Sequence, residues 1–299
     1  MYNKRTDLAL EVHELRGTQS GITLTEENKD GITVTTAVVK EGEGEKLSGK
    51  QAGKYITVDM GKVWQTDTHR FNKIAAVIAA ELKSLLPKEE GCILVAGLGN
   101  EQITPDSLGP RTVKKLLVTR HISSLDPALY SNAGFGCLAA ISPGVLGQTG
   151  IESAEIIKSV AKSIKPKCII LIDALASRRL SRLATTVQIS NTGISPGSGV
   201  SNKRAALTAE YLNSRVISIG IPTVVDAATL AYDLLEQHYG ADKDFSSAVE
   251  MVLLGSGREM FVTPKENDII SAETAALLAT AINVAAHGMQ ISEIKDFIR

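Results

Sequence analysis

Two carboxylates stand out by their setting. Asp106 lies in GLGNEQITPDSLGP (residues 97–110), directly behind Pro105, and Asp173 follows the apolar run CIILI in CIILIDALAS (residues 168–177). A carboxylate at the end of such a run is poorly explained by packing, because a buried charge is costly without a partner. Two carboxylates crowded into one site raise the affinity of the pair for a proton, so one can take a proton from water while the other donates. Peptide hydrolysis needs that combination. Each acid also has a structural explanation. Thr104 is a plausible N-cap with Pro105 at the first helical position, and the helix dipole favours an acid such as Asp106 in the first turn. Asp173 could cap a neighbour or pair with Arg178 or Arg179.

The other motifs point to less. GLGNEQ begins like a dinucleotide fingerprint, but Gln102 stands where the third glycine belongs, and no GK[ST] follows. The GSG at residues 197–199 lacks the flanking glycines of a hydrolase nucleophile elbow. There is no HExxH or CxxC, and His13, His69, His121, His238 and His287 are scattered, so zinc chemistry and a Ser or Cys nucleophile have little support. Cys92, Cys137 and Cys168 lie far apart and read as reduced core thiols of an intracellular protein. The segment NTGISPGSGVSNKRAAL (residues 191–207) offers backbone N–H groups and the charges of Lys203 and Arg204. It suits an acidic side chain or a peptide carbonyl, and equally a solvated turn before a helix.

The elements that must position these residues alternate. CILVAGL (92–98), CIILIDAL (168–175) and RVISIGIPTVV (215–225) are continuous apolar runs, the mark of strands buried on both faces, and ATTVQIS (184–190) reads as a fourth strand of edge type. Between them lie helical patterns over 105–117, 153–164 and 227–235. Asp226 is placed to cap the last of these. Earlier, Phe71, Ile74, Ala75, Ile78, Leu82 and Leu85 recur at helical spacing, with Thr66, Asp67 and Thr68 as capping candidates and Pro87 beyond. A final Ala-rich helix over 270–287 stops at Gly288. Residues 123–149 read as a long Gly-rich loop, either functional or a plain surface connection. Residues 17–62 carry short alternating pieces, GITVTTAVV and KYITVDM, around the exposed loop KEGEGEKLSGKQAGK. Strands alternating with helices predict a mostly parallel sheet covered on both sides, whose ligands bind beyond the carboxyl ends of the strands. Both Asp106 and Asp173 fall there.

Composition sets outer limits. The 299 residues are 43% apolar, enough for a substantial core, and a net charge of -1 from 32 basic and 33 acidic residues argues against a general polyanion binder. No stretch offers ~18 uninterrupted apolar residues for a membrane span. A soluble, cytoplasmic protein is expected.

Several stretches together resemble the germination protease family, the spore endopeptidases that degrade small acid-soluble spore proteins. They are RTDLALE (5–11), GLGNEQITPDSLGP, LIDALASRRLSRLATTVQISNTGISPGSGVSNKR (171–204) and GIPTVVDA (220–227). The resemblance runs from Arg5 through the C-terminal helix. It implies a three-layer α/β/α sandwich with a mostly parallel sheet, phosphorylase/hydrolase-like, in a single peptidase domain (1–299) with 17–62 as a β-rich N-terminal insertion. It further implies an atypical aspartic endopeptidase of the spore core, made as a zymogen and assembled as a homotetramer. Its catalytic aspartates match Asp106 and Asp173. Cleavage after Glu in the family leads one to expect a basic lining, with Asn100, Arg178, Lys203 and Arg204 as substrate-binding candidates.

The fold is similar to that of the hydrogenase maturation proteases, which share a GxGN strand end and use a histidine to read a nickel-containing precursor. No histidine follows Asp173 in a comparable motif here, where the nearest residues are Asn202 and Lys203. That departure favours hydrolysis without metal or cofactor. Only Met1 to Lys4 precede the RTDLA motif, where better-known family members have a longer pro-segment. Either a short pro-segment is cut farther in, near Glu11 or Glu14, or the chain is close to the mature form. Two alternatives stay open: a metal-dependent maturation protease of the hydrogenase type, and a non-catalytic module that binds spore proteins.

Overall fold

The computed structural model describes residues 6–16, 21–194, 206–240, 245–252 and 260–297. Its centre is one mixed sheet. The strands are β1 (Ile22–Lys29), β2 (Ile32–Val39), β3 (Gly53–Asp59), β4 (Ile93–Gly97), β5 (Leu138–Ile141), β6 (Cys168–Ser177), β7 (Thr186–Ser190), β8 (Val216–Asp226) and β9 (Phe261–Val262). They lie in the order β1-β2-β3-β7-β8-β6-β4-β5, with β9 beside β8. The centre, β8-β6-β4-β5, is parallel, while β7, β3, β2 and β1 continue the sheet in antiparallel pairing.

The sheet divides the core in two, as period-two alternation requires. Ile170 and Ile172 of β6 join one apolar cluster with Ile74, Ile78 and Leu82 from helix Thr68–Leu85 and Leu278 and Ile282 from helix Asn267–His287. Ile169 and Leu171, on the other side, meet Ala154, Ile157 and Ala161 of helix Ser153–Ile164. Helices on both faces explain why β4 is buried at all five positions and β6 at nearly all of its ten. Asp67 caps helix Thr68–Leu85, its side chain accepting from the Arg70 N–H at 2.7 Å. Asp226 likewise caps helix Ala227–Tyr239 through the Thr229 N–H at 2.8 Å. Helix Asn267–His287 is, among the described residues, the one long and apolar enough to cross a membrane. Its apolar character is accounted for by packing in the core against helix Thr68–Leu85.

Several expectations are corrected. β7 is an interior strand between β3 and β8, buried at every position, and not an edge strand. Residues 123–149 are not one loop. They hold helix Pro127–Asn132, the edge strand β5 and helix Leu146–Thr149. β5 is only four residues long and Ala-rich, which gave the apolar pattern too little to read. The helix expected over 105–117 is broken into a 3₁₀ turn, Thr104–Asp106, and a short helix, Leu108–Val113. Thr104 is not its cap, because its hydroxyl donates to Asp268 Oδ1 at 2.9 Å. The loop between β2 and β3 contains helix Glu43–Ser48.

Between β6 and β8 the register slips. Leu175 pairs with Pro222 and Ala176 with Val224, leaving Thr223 as an extra residue. A bulge is where a strand tolerates a proline, which has no N–H to give the ladder.

Candidate active site

Asp173 lies within β6, level with the carboxyl end of its parallel neighbour β4 and not at the end of its own strand, and Asp106 lies in the loop that follows β4. Gly97, the last residue of β4, pairs with Ile172, and the next N–H, of Leu98, donates to the Ile172 carbonyl at 2.8 Å. Asp173 is therefore the residue of β6 alongside the point where β4 turns into its loop. That loop returns at once. The turn Thr104–Asp106 packs back on β6 and β8, and the Asn100 N–H donates to Asp106 Oδ2 at 2.8 Å. Asp106 sits in a 3₁₀ turn, with its own N–H donating to the Ile103 carbonyl at 2.8 Å.

Glycine makes this approach possible at two points. Gly99 has φ +109°, and a methyl group there would meet the Asp106 carbonyl oxygen at 2.0 Å and its Oδ1 at 2.9 Å. Gly220 of β8 pairs with Asp173, and a methyl group there would lie 2.7 Å from the Asp173 carbonyl oxygen. Asp173 is 8% exposed, and its Oδ1 accepts from the Ala174 N–H at 2.9 Å. Asp106 is half-buried. Asp173 is thus the more enclosed of the two.

The expected substrate-binding residues fare differently. Asn100 is in place beside Asp106, and its Oδ1 accepts from the Gln102 N–H at 3.0 Å and from Gln148 Nε2 at 2.8 Å. Lys203 and Arg204, with Asn202, lie outside the described residues. Arg178 is 8% exposed, its Nε bonded to both carboxylate oxygens of Asp233 at 2.8 and 2.9 Å and its Nη2 to Glu236 at 3.0 Å. Its charge is engaged within the chain, tying the end of β6 to helix Ala227–Tyr239.

The N-terminal segment docks beside this site. The Asp7 N–H donates to the Ala176 carbonyl and the Ala176 N–H to Asp7 Oδ2, both at 2.9 Å. Glu11, in helix Ala9–Arg16, is fully buried, and its carboxylate accepts from the N–H groups of Arg178 at 2.7 Å and Arg179 at 3.0 Å. Glu14 pairs with Arg182 and Arg179. Burial pushes the Glu14 carboxyl up, but the Arg182 hydrogen bond and the charges of Arg182, Arg179 and Arg178 outweigh it and hold the group below its ordinary value.

Sequence reasoning missed a polar row on the Asp173 face of the sheet. The register aligns Asp173 with Gly220 and Gln188, and Ser218 with Ser190 and Tyr55. Its signal was present as polar or small residues at alternate positions: Gln188 and Ser190 in TVQIS, Ser218 and Gly220 in VISIG.

The germination protease family model matches residues 3–249. The chain belongs to the germination protease family. It is 42% identical to the germination protease of Caldanaerobacter subterraneus subsp. tengcongensis, over 94% of this chain and 93% of that one. The germination protease of Clostridium perfringens is 39% identical with both chains fully covered, and that of Bacillus licheniformis 37% identical over 96% of this chain and 94% of its own. Among solved structures, the [NiFe] hydrogenase maturation protease HycI from Thermococcus kodakarensis aligns with a TM-score of 0.37 and 15% identity, covering 68% of this chain and 98% of that chain. That likeness is too weak to argue from. Membership makes the chain a peptidase, and the carboxyl end of β4, beside Asp173 of β6, is where its candidate chemistry stands.

Proposed function

We propose that the chain is an endopeptidase of germinating spores in which Asp106 and Asp173 together activate a water molecule for attack on a peptide bond. The carrying observation is that Asp173 of β6 lies alongside the carboxyl end of the parallel strand β4, whose loop folds back through Gly99 so that Asn100 holds the Asp106 carboxylate. The acid holding the proton donates to the leaving amine, and its ionised neighbour takes a proton from the attacking water. Backbone N–H groups of the Gly-rich turns are candidates to stabilise the oxyanion. An extended substrate suits such a site. Small acid-soluble spore proteins, disordered once released from DNA, are the proposed substrates in the spore core.

The reading extends to a single peptidase domain assembled as a homotetramer and activated by N-terminal processing. The docked segment supports the last point. Residues 6–16 lie against the end of β6 only a few residues beyond Asp173, so trimming would alter the surroundings of the site. Asn100, Lys203 and Arg204 remain the proposed substrate contacts, whereas the ion pairs of Arg178 suit it to holding the fold.

The test is incubation of an acid-soluble spore protein with the parent chain, an N-terminally trimmed form, Asp106→Asn and Asp173→Asn, with and without chelator, products read by mass spectrometry. Discrete cuts by the trimmed form, lost in both variants and indifferent to chelator, are the expected result. Cuts that survive both substitutions would overturn the paired-aspartate reading, and chelator-sensitive cuts would replace it with a metal-dependent one.

A further inference from the structure

Cys92 and Cys137, far apart in the chain, come together at the amino ends of β4 and β5. Ile93 of β4 pairs with Leu138 of β5, and the Ile93 N–H donates to the Cys137 carbonyl at 2.8 Å. Each cysteine is the residue just before that pair, so the two stand level on adjacent strands, about 4.8 Å apart. Alternation also puts them on one face. Ile93 and Leu138 belong to the main core, whereas Leu94 and Ala139 join the cluster on the other side of the sheet, the side to which Cys92 and Cys137 turn as well. Their spacing falls inside the range of roughly 4.4–6.8 Å between Cα atoms that a disulfide accepts.

The two thiols are in contact and within reach of solvent. Both are reduced and half-buried, whereas Cys168 is fully buried in β6. The Cys137 thiol hydrogen-bonds with that of Cys92, and Arg120 brings a positive charge to the pair. Burial, followed by the hydrogen bond and charge of Cys137, pushes the Cys92 thiol up to about 12, with Arg120 opposing. Cys92 is therefore held protonated while Cys137 is free, and capping Cys137 removes both of that residue's contributions. This orders the pair: Cys137 reacts first and Cys92 resolves.

β5 is the last strand of the sheet and meets β4 over four residue pairs. It leads to helix Leu146–Thr149, whose Gln148 donates to Asn100 beside Asp106. Cys92 itself stands about 16 Å from Gly97, at about 3.3 Å per residue along β4, so the pair is remote from the acids.

We propose that Cys92 and Cys137 form a redox-sensitive modification site, closed to a reversible disulfide by a low-molecular-weight disulfide, which staples β5 to β4. The Cys137 thiolate attacks one sulfur of the small disulfide, forming a mixed disulfide and expelling one thiolate. The Cys92 thiolate then attacks the Cys137 sulfur, closing the protein disulfide and expelling the second. The two cysteines lose two electrons and two protons, the small disulfide is reduced to two thiols, and excess thiol reverses both steps. The staple does not depend on which residues cut the peptide.

The test treats the folded full chain with glutathione disulfide, blocks the remaining thiols with N-ethylmaleimide under denaturing conditions, and reads tryptic peptides by mass spectrometry. Peptides 89–111 and 121–158, which carry Cys92 and Cys137, are expected as one linked species short of two hydrogens, with Cys168 alkylated in peptide 168–178. Dithiothreitol separates them. Cys92→Ser stops at a glutathione adduct on Cys137, because nothing resolves it. Oxidation raises the melting temperature of the parent and not that of Cys92→Ser. Recovery of both parent thiols as alkylated, or as separate glutathione adducts, overturns the proposal, and so does linkage of Cys168 to either partner in comparable yield. A linked parent that melts no higher than the reduced one overturns the staple.

Discussion

Gly99 lies so close to Asp106 that a single methyl group on it would overlap the Asp106 carbonyl oxygen at 2.0 Å. The β4 turn and the candidate catalytic acid therefore form one rigid unit. Gly99→Ala is expected to impair both stability and catalysis. A positive φ in a non-glycine residue costs about 1–3 kcal/mol, and relief of the contact must move Asp106. The melting temperature should fall, and kcat/KM should fall by more than the folded fraction accounts for. Full specific activity in folded Gly99→Ala would show that Asp106 need not be held there.

Asp106→Asn keeps an oxygen that can accept from the Asn100 N–H, so its fold should be retained. A loss of about a hundredfold to ten-thousandfold in kcat is expected for this variant and for Asp173→Asn, the range for removing a general acid or base. KM should change little. Pre-steady-state and steady-state rates on one peptide, with melting curves as control, check this. Two variants with kcat near the parent's would exclude the pair.

Arg178→Met should show its effect in stability and not in substrate affinity. The guanidinium is paired with Asp233 and Glu236 in a buried setting, and removing one partner of such a group costs about 3–5 kcal/mol. Chemical denaturation of the variant measures that loss. A raised KM with unchanged stability would return Arg178 to the substrate-binding set.

How far these residues could be read in the sequence depended on the range of the forces holding them. β4, β6 and β8 were plain because burial on both faces leaves an uninterrupted apolar run, and the caps Asp67 and Asp226 were plain because capping is local. β7 was read as an edge because nothing within TVQIS reveals that β3 arrives on its far side from 130 residues earlier in the chain. Asp106 and Asp173 could be singled out by type, but that the β4 loop begins beside Asp173 follows from the pairing of Gly97 with Ile172, a long-range fact. Arg178 was assigned to substrate because its partners lie on a helix more than 50 residues away.

Glu11→Ala should loosen the N-terminal segment. The buried carboxylate holds two backbone N–H groups, and its loss leaves both unsatisfied at about 1–3 kcal/mol each. Amide hydrogen exchange over residues 6–16 is expected to accelerate while the core strands are unchanged. If this segment restrains activity, the same variant is processed faster at its N-terminus than the parent. Unchanged exchange would mean that other contacts suffice to hold the segment.

His287 gives the stability a pH dependence of known sign. Its Nδ1 accepts from the Gly136 N–H at 3.2 Å, which leaves the proton on Nε2, 3.0 Å from the Leu117 carbonyl. Burial lowers its pKa below the ordinary 6.5, with the hydrogen bond to the Leu117 carbonyl opposing. Protonating the folded ring would set an N–H against the Gly136 N–H. The unfolded chain therefore binds the proton more readily, and stability falls as pH drops below about 6.5, continuing until the folded-state pKa is passed. Above about 6.5 the contribution is constant. His287→Gln keeps an acceptor and a donor but cannot titrate, so its melting temperature should fall less between pH 7 and pH 5 than the parent's. Parallel curves for the two over that interval would show that His287 carries none of the acid sensitivity.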